Sequence, residues 1–262
     1  MLGLNLKYCF LGCFVFLLSC NHTNEEQGID VAFDAFDDVP EKQETLPEKQ
    51  KKSETAFYFE SLGLVDVQSL DSAIVVSLKY ASEDNFVKTN LYGDLKRAYL
   101  QTDVADKLAN ASNILQTEYP ELRLLVWDAV RPVSVQQRMW NLCDIPLSRR
   151  HWYVSPPEKR SLHNYGAAVD LTLIIVDGKY LDMGTGFDHF SDTAYTVNEV
   201  EMVRVGKISK KAAENRLILR NVMREAGFSP IDYEWWHFNS CSRNAAKSKY
   251  PLIFELLKTK NN

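Results

Sequence analysis

Residues 161–173 read SLHNYGAAVDLTL, and the apolar run continues to residue 176 before an Asp177-Gly178 pair and the segment KYLDM. An Asp-Gly pair between two apolar runs signals a tight β-hairpin turn, so residues 168–176 are expected as a strand with a partner strand after the turn. Side chains alternate along a strand, which sets Ala168, Asp170 and Thr172 on one face and Val169, Leu171 and Leu173 on the other. Asp170 therefore stands where a buried strand begins, on a polar or small-residue face. A carboxylate buried there without a partner is costly, so a compensating charge must meet it.

On either side of this hairpin the pattern alternates between strand and helix. Residues 73–80, AIVVSLKY, are β-branched and compact, as are residues 122–127, LRLLVW, and both read as strands. Between them Val104, Leu108, Ala111 and Leu115 recur at helical spacing, after a Thr102 or Asp103 cap and before Pro120. A helix is expected after Pro132, over VSVQQRMWNL. Another is expected over residues 209–226, with Leu219, Val222, Met223 and Ala226 on one face and Gly227 at its end. The last strand is YEWWHF, residues 233–238. Mixed elements with an antiparallel hairpin imply an α+β fold, a central, mostly antiparallel sheet flanked by helices.

The first twenty residues, MLGLNLKYCFLGCFVFLLSC, stand outside that fold. One early Lys precedes an apolar run too short to span a bilayer, the pattern of an export signal. Its end, Leu17-Leu18-Ser19-Cys20, resembles the lipobox of bacterial lipoproteins, which implies acylation at Cys20 and attachment to a membrane surface in the cell envelope. Residues 21–56 lack hydrophobic periodicity and are rich in Glu, Asp, Lys, Gln and Pro, so they read as a solvated acidic tether. Residues 31–39 within it, VAFDAFDDV, are a short apolar cluster. The net charge of −5 arises in this tether, and residues 57–262, the expected folded domain, are neutral. A neutral domain has no electrostatic footprint for nucleic acid. Cys143 and Cys241 are the two cysteines left in it, compatible with a bridge or with separate thiols.

His163 and Asp170, with Glu234 and His237 three apart, supply two imidazoles and two carboxylates. Two imidazoles and one carboxylate form a common catalytic-zinc shell that keeps a fourth position for water, and the second carboxylate can take that water's proton. Such pairs also serve as structural hydrogen-bonding groups, and spacing alone does not separate the two.

SLHNYGAAVD fits Ser-x-His-x-x-Gly-x-Ala-x-Asp, and EWWH fits Glu-x-x-His. The chain thereby resembles the zinc D-alanyl-D-alanine dipeptidases and their carboxypeptidase relatives. The resemblance runs from about residue 71 to 238 and includes KYASEDNF, WDAVRP, DLTL, MGTGFD and EWWHF. It implies one zinc ion held by His163, Asp170 and His237 in a cleft on the sheet, with Glu234 as general base. It further implies that Arg131 stabilises the charge of the tetrahedral intermediate, with Asp128 holding its guanidinium. Asp188 and Tyr80 would meet the substrate ammonium, Ser161 would hydrogen-bond the substrate, and Trp235 and Trp236 would wall the pocket. Ala129 and Val130 stand where Gly and Tyr are usual, and Lys88 where Gly is usual. The implied activity is hydrolysis of D-alanyl-D-alanine by metal-activated water. The alternatives are D,D-carboxypeptidase action on longer wall peptides and a metal-bound wall-peptide receptor without turnover.

Overall fold

The structure, a computed structural model, describes residues 52–151 and 153–257. The export signal with Cys20, the apolar cluster at 31–39 and most of the tether lie outside the described residues. The Ser53 hydroxyl accepts from the Ala56 N–H and opens helix α1 (Glu54–Ser61), in which Thr55 and Ala56 are buried. The described fold thus starts at Glu54, slightly before the boundary expected at Phe57. In chain order there follow β1 (Leu64–Asp66), α2 (Val67–Leu70), β2 (Val75–Val76), β3 (Tyr99–Gln101), α3 (Thr102–Glu118), β4 (Leu122–Asp128), α4 (Val133–Leu142) and α5 (Leu147–Arg150). The chain continues with β5 (Ala168–Ile175), α6 (Glu199–Arg204), α7 (Lys210–Glu225), β6 (Ser229–Pro230), β7 (His237–Asn239) and α8 (Arg243–Lys249).

Among the described residues the main sheet has five strands in the order β2-β4-β5-β7-β6. Only the β2 and β4 pair is parallel; the others are antiparallel, as expected. β1 and β3 form a separate antiparallel pair. Helix α3 packs against β4 and α7, and α7 packs against β5. β5 is buried on both faces from Ala168 to Ile174. The face bearing Asp170 is therefore enclosed, with Thr172 1% exposed, so its small residues mark close packing.

Several expected elements are shorter. The strand expected over 73–80 reduces to β2, because the chain turns at Lys79–Ala81 into a 3-10 helix whose Tyr80 carbonyl accepts the N–H groups of Leu91 and Tyr92. The return strand of the hairpin reduces to a bridge between Ile174 and Tyr180. The strand expected over 233–238 begins only at His237, because the Trp235 N–H donates to the Ala194 carbonyl and turns the backbone away from the sheet. Helix α3 starts without the expected Thr102 or Asp103 cap. Gln101 precedes it, donating from its side chain to the Tyr165 carbonyl at 2.8 Å and from its backbone to the Gly166 carbonyl at 3.0 Å. Helices α4 and α7 match their expected spans, and Ser209 caps α7 by accepting from the Ala212 N–H. Cys143 and Cys241 are separate thiols.

Gly166 ends the turn that carries His163 in the left-handed region, φ +63°, where side chains are disfavoured. A Cβ there would come within 3.2 Å of a Leu64 methyl and 3.3 Å of the Gln101 nitrogen. Gly166→Ala is therefore expected to lower stability by about 1–3 kcal/mol, read as a shift in the denaturant midpoint. An unchanged midpoint would show that this turn tolerates a side chain.

Candidate metal centre

Strand register brings the charged residues together. Across the sheet Asp128 on β4 pairs with Asp170 on β5, and Asp170 pairs with His237 on β7. The pairing is irregular between Val126 and Asp128, and this shift is what sets Asp128 opposite Asp170. His163 arrives from a 3-10 turn, Leu162–Tyr165, that begins with a reciprocal cap. The Ser161 hydroxyl accepts from the His163 N–H, and the Asn164 side-chain oxygen accepts from the Ser161 N–H at 2.8 Å.

The turn is laced to the loop after β4. The Arg131 N–H donates to the His163 carbonyl at 3.0 Å, and Asn164 Nδ2 donates to the Arg131 carbonyl at 2.7 Å. His163 Nδ1 lies 2.7 Å from the Ala129 carbonyl. A carbonyl only accepts, so Nδ1 carries the hydrogen and Nε2 presents a lone pair. His237 is oriented in the opposite sense: Nε2 lies 2.9 Å from Asn239 Oδ1, so Nδ1 faces inward and presents its lone pair when the ring is neutral. These two acceptor nitrogens face each other at 3.1 Å, and Asp170 Oδ1 lies 2.8 Å from His237 Nδ1 and 3.3 Å from His163 Nε2.

Three buried lone-pair donors that converge in this way repel unless a cation lies among them. A proton can serve one pair of them, whereas a divalent metal serves all three. The separations are close to the edges of a tetrahedron with arms of about 2.0 Å, the length zinc takes with nitrogen and oxygen ligands. The donor set therefore fits a small divalent ion.

Around it the remaining charges are paired or held in the cavity. Asp128, fully buried, accepts from Arg131 Nε at 2.8 Å and Nη2 at 2.5 Å, from the Tyr92 hydroxyl at 2.5 Å and from the Ala129 N–H at 3.0 Å. Burial alone would push the Arg131 guanidinium down, but Asp128 holds it well above its ordinary value, so it stays charged. Arg131 Nη2 also reaches Asp170 Oδ2 at 3.4 Å, and its guanidinium stacks 5.1 Å above the Tyr80 ring. The Tyr80 hydroxyl donates to both oxygens of Asp188, at 3.1 and 3.0 Å. Burial, reinforced by Asp170 and Glu234, pushes Asp188 well above the usual carboxylate range despite Arg131 and Tyr80. Glu234 Oε2 lies 3.9 Å from His237 Nδ1, with its side chain 32% exposed. Burial raises Glu234 too, with His237 and Arg131 opposing.

A cavity of about 210 Å³ is lined by the eight residues expected as metal ligands, catalytic groups or substrate contacts: Tyr80, Arg131, Ser161, His163, Asp170, Asp188, Glu234 and His237. Trp236 also lines it, whereas Trp235 packs behind with its indole N–H on Thr185 Oγ1 at 2.7 Å. Sequence reasoning missed Tyr92, Asn164 and Asn239. Asn239 was accessible to it, because residues two apart on a strand share a face with His237. The Ala129 carbonyl carries no side-chain signal. The unusual Ala129 and Val130 serve mainly through their backbone: Val130 donates its N–H to the Tyr99 carbonyl. Lys88 occupies a left-handed conformation, φ +51°, the region where glycine is favoured.

A match to the family described as D-ala-D-ala dipeptidase, Peptidase_M15, spans residues 60–253. The chain is 33% identical over 190 residues to the D-alanyl-D-alanine dipeptidase of Escherichia coli (strain K12), covering 72% of this chain and 89% of that protein. It is 28% identical over 175 residues to the D-alanyl-D-alanine dipeptidase of Enterococcus faecium, covering 61% and 82%. Among solved structures, VanYB in complex with D-Alanine-D-Alanine aligns at TM-score 0.34 and 16% identity over 58% of this chain and 76% of that one, too slight a likeness to bear on the site.

Burial alone would push the His237 imidazolium down, but its hydrogen bond to Asp170 and that charge prevail, and without a metal it is raised to about 9. Burial likewise opposes the Asp170 carboxylate, yet the two imidazoles hold it well below the usual carboxylate range. The His237 contribution to metal-free stability is fully present below the unfolded value of about 6.5 and is lost as pH rises through about 9. An incoming metal must displace that proton. Metal affinity is therefore expected to rise with pH and level off above about 9, with roughly one proton released per ion near neutrality. Calorimetric titration in buffers of different ionisation enthalpy reads this; affinity independent of pH from 6 to 9 would contradict it.

Proposed function

Because the chain belongs to the D-ala-D-ala dipeptidase family, Peptidase_M15, and is a metallopeptidase of that family, we propose that its centre binds one zinc ion and hydrolyses free D-alanyl-D-alanine. The observation that carries this reading is the convergence of His163 Nε2, His237 Nδ1 and Asp170 Oδ1 within 3.3 Å of one another, beside Glu234 in a single cavity. The cavity is smaller than the roughly 300–1,000 Å³ typical of drug-sized ligands, which suits a dipeptide.

When bound, the zinc ion acidifies a water and polarises the peptide carbonyl. Glu234, raised by burial, takes the proton from the attacking water and returns it to the departing amine. Arg131, kept charged by Asp128, offers its guanidinium to the negative charge that develops on the carbonyl oxygen. Asp188 has the Tyr80 hydroxyl as its hydrogen-bonding partner, and a substrate ammonium entering the cavity neutralises it. Ser161, at the cavity wall, hydrogen-bonds the other end of the dipeptide.

For location we propose export and acylation at Cys20, which tethers the domain to an envelope membrane through residues 21–56. The support is the short apolar run ending in Leu17-Leu18-Ser19-Cys20 and the acidic, proline-containing segment after it. Among the described residues no helix is long and apolar enough to cross a membrane.

Glu234→Gln is expected to retain stoichiometric zinc while kcat/KM on the dipeptide falls by roughly 10²–10⁴-fold. Loss of zinc together with activity would instead make Glu234 part of the metal shell. The unaltered protein should release D-alanine faster from the free dipeptide than from a wall pentapeptide ending in D-Ala-D-Ala; the reverse order would reassign it as a carboxypeptidase. Cys20→Ala in the full chain should abolish incorporation of labelled fatty acid and move the protein out of the membrane fraction. Retention of label in that variant would refute the anchor.

A further inference from the structure

We infer that Arg216, on α7, is a positioning residue that keeps the ammonium-binding Asp188 and the general base Glu234 in register with each other. The inference rests on the roles proposed above for those two carboxylates. Arg216 is 1% exposed, and its guanidinium bonds run to the two ends of one loop: Nε donates to the Met183 carbonyl at 2.7 Å and Nη2 to the Thr193 carbonyl at 2.9 Å. Between those anchors lies Asp188, in left-handed backbone at φ +56° and pointing into the cavity. The same guanidinium lies 5.6 Å from the centre of the Trp235 ring. Trp235 directly follows Glu234, donates its backbone N–H to the Ala194 carbonyl at 3.1 Å and its indole N–H to Thr185 Oγ1 at 2.7 Å. One planar group thus spans both ends of the Asp188 loop and braces the turn that presents Glu234.

Its charge is only partly compensated. Glu199 approaches Nη1 only to 3.7 Å, while Arg220 grips Glu199 at 2.7 and 3.2 Å, and Nη1 has no hydrogen-bond partner. Burial lowers the Arg216 guanidinium from its ordinary value, with Glu199 opposing, so the charge is held at a cost. An apolar side chain of similar volume would fill the space but leave the Met183 and Thr193 carbonyls without these donors. What it could not do is bridge two carbonyls ten residues apart with a rigid fork.

Arg216→Met keeps the volume and removes the fork; Arg216→Lys keeps the charge and one reachable carbonyl. The readout is kcat/KM for D-Ala-D-Ala against the same dipeptide N-acetylated, which lacks the ammonium, measured on zinc-loaded protein with metal content and thermal midpoint recorded. For Arg216→Met the preference for the free dipeptide should fall at least tenfold, chiefly through a raised KM, with zinc content unchanged; Arg216→Lys should recover part of it. A preference equal to that of the unaltered protein, even at reduced overall activity, would make Arg216 structural only and overturn the inference. If Arg216→Met does not fold, the same comparison on Arg216→Lys decides, since a full unaltered preference there with the fork lost has the same meaning. Unaltered, zinc-loaded protein that cleaves neither compound would defeat the dipeptidase reading itself, and this inference with it.

Discussion

A carboxylate sealed in a protein interior must be met by positive charge, and Asp170 is the point at which this fold concentrates that demand. At 2% exposure it has almost no recourse to bulk water. Two imidazoles turn their acceptor nitrogens toward one of its oxygens, and the Arg131 guanidinium approaches the other. In their neutral forms both imidazoles keep the N–H outward, on the Ala129 carbonyl and Asn239, and without a metal His237 meets Asp170 by taking a second proton on Nδ1. The centre is thus built to be incomplete without a cation, a more stringent condition than the mere nearness of two histidines and an aspartate.

Around this centre the fold keeps opposite charges in fixed pairs. Asp128 is buried beside Asp170 by the strand register, and two like charges there would repel. Arg131 resolves the conflict by binding Asp128 through two nitrogens while extending the edge of its fork to Asp170. Tyr92 and the Ala129 N–H take up the remaining oxygen of Asp128. Asp188 and Glu234, the carboxylates to which the proposed reaction gives the substrate ammonium and the transferred proton, are the ones burial raises despite Arg131 nearby. An ammonium and a transferred proton, respectively, are what such groups can accept.

Much of the site was legible in the chain because its residues come in tight local groups. The turn that holds His163 and the strand that holds Asp170 are contiguous, and Glu234 and His237 sit three apart. The long helices were equally readable, since α4 and α7 carry helical periodicity between clear start and stop residues. Strand limits were less so. The segments at 73–80 and 233–238 have strand-like composition, yet Tyr80 and Trp235 leave the sheet to serve the cavity and its backing, and tertiary hydrogen bonds outweigh local preference there.

By itself the sequence determined the α+β class, the identity of the four residues that gather at the centre, and the resemblance that gives them roles, because each depends on residue type and short-range spacing. Only the tertiary structure decided which nitrogen of each histidine faces Asp170, that Asp128 lies beside Asp170, and that Arg216 spans the loop bearing Asp188. These depend on strand register and on backbone carbonyls such as those of Ala129, Met183 and Thr193. A carbonyl is present in every residue, so its partner is set by where the folded chain places it.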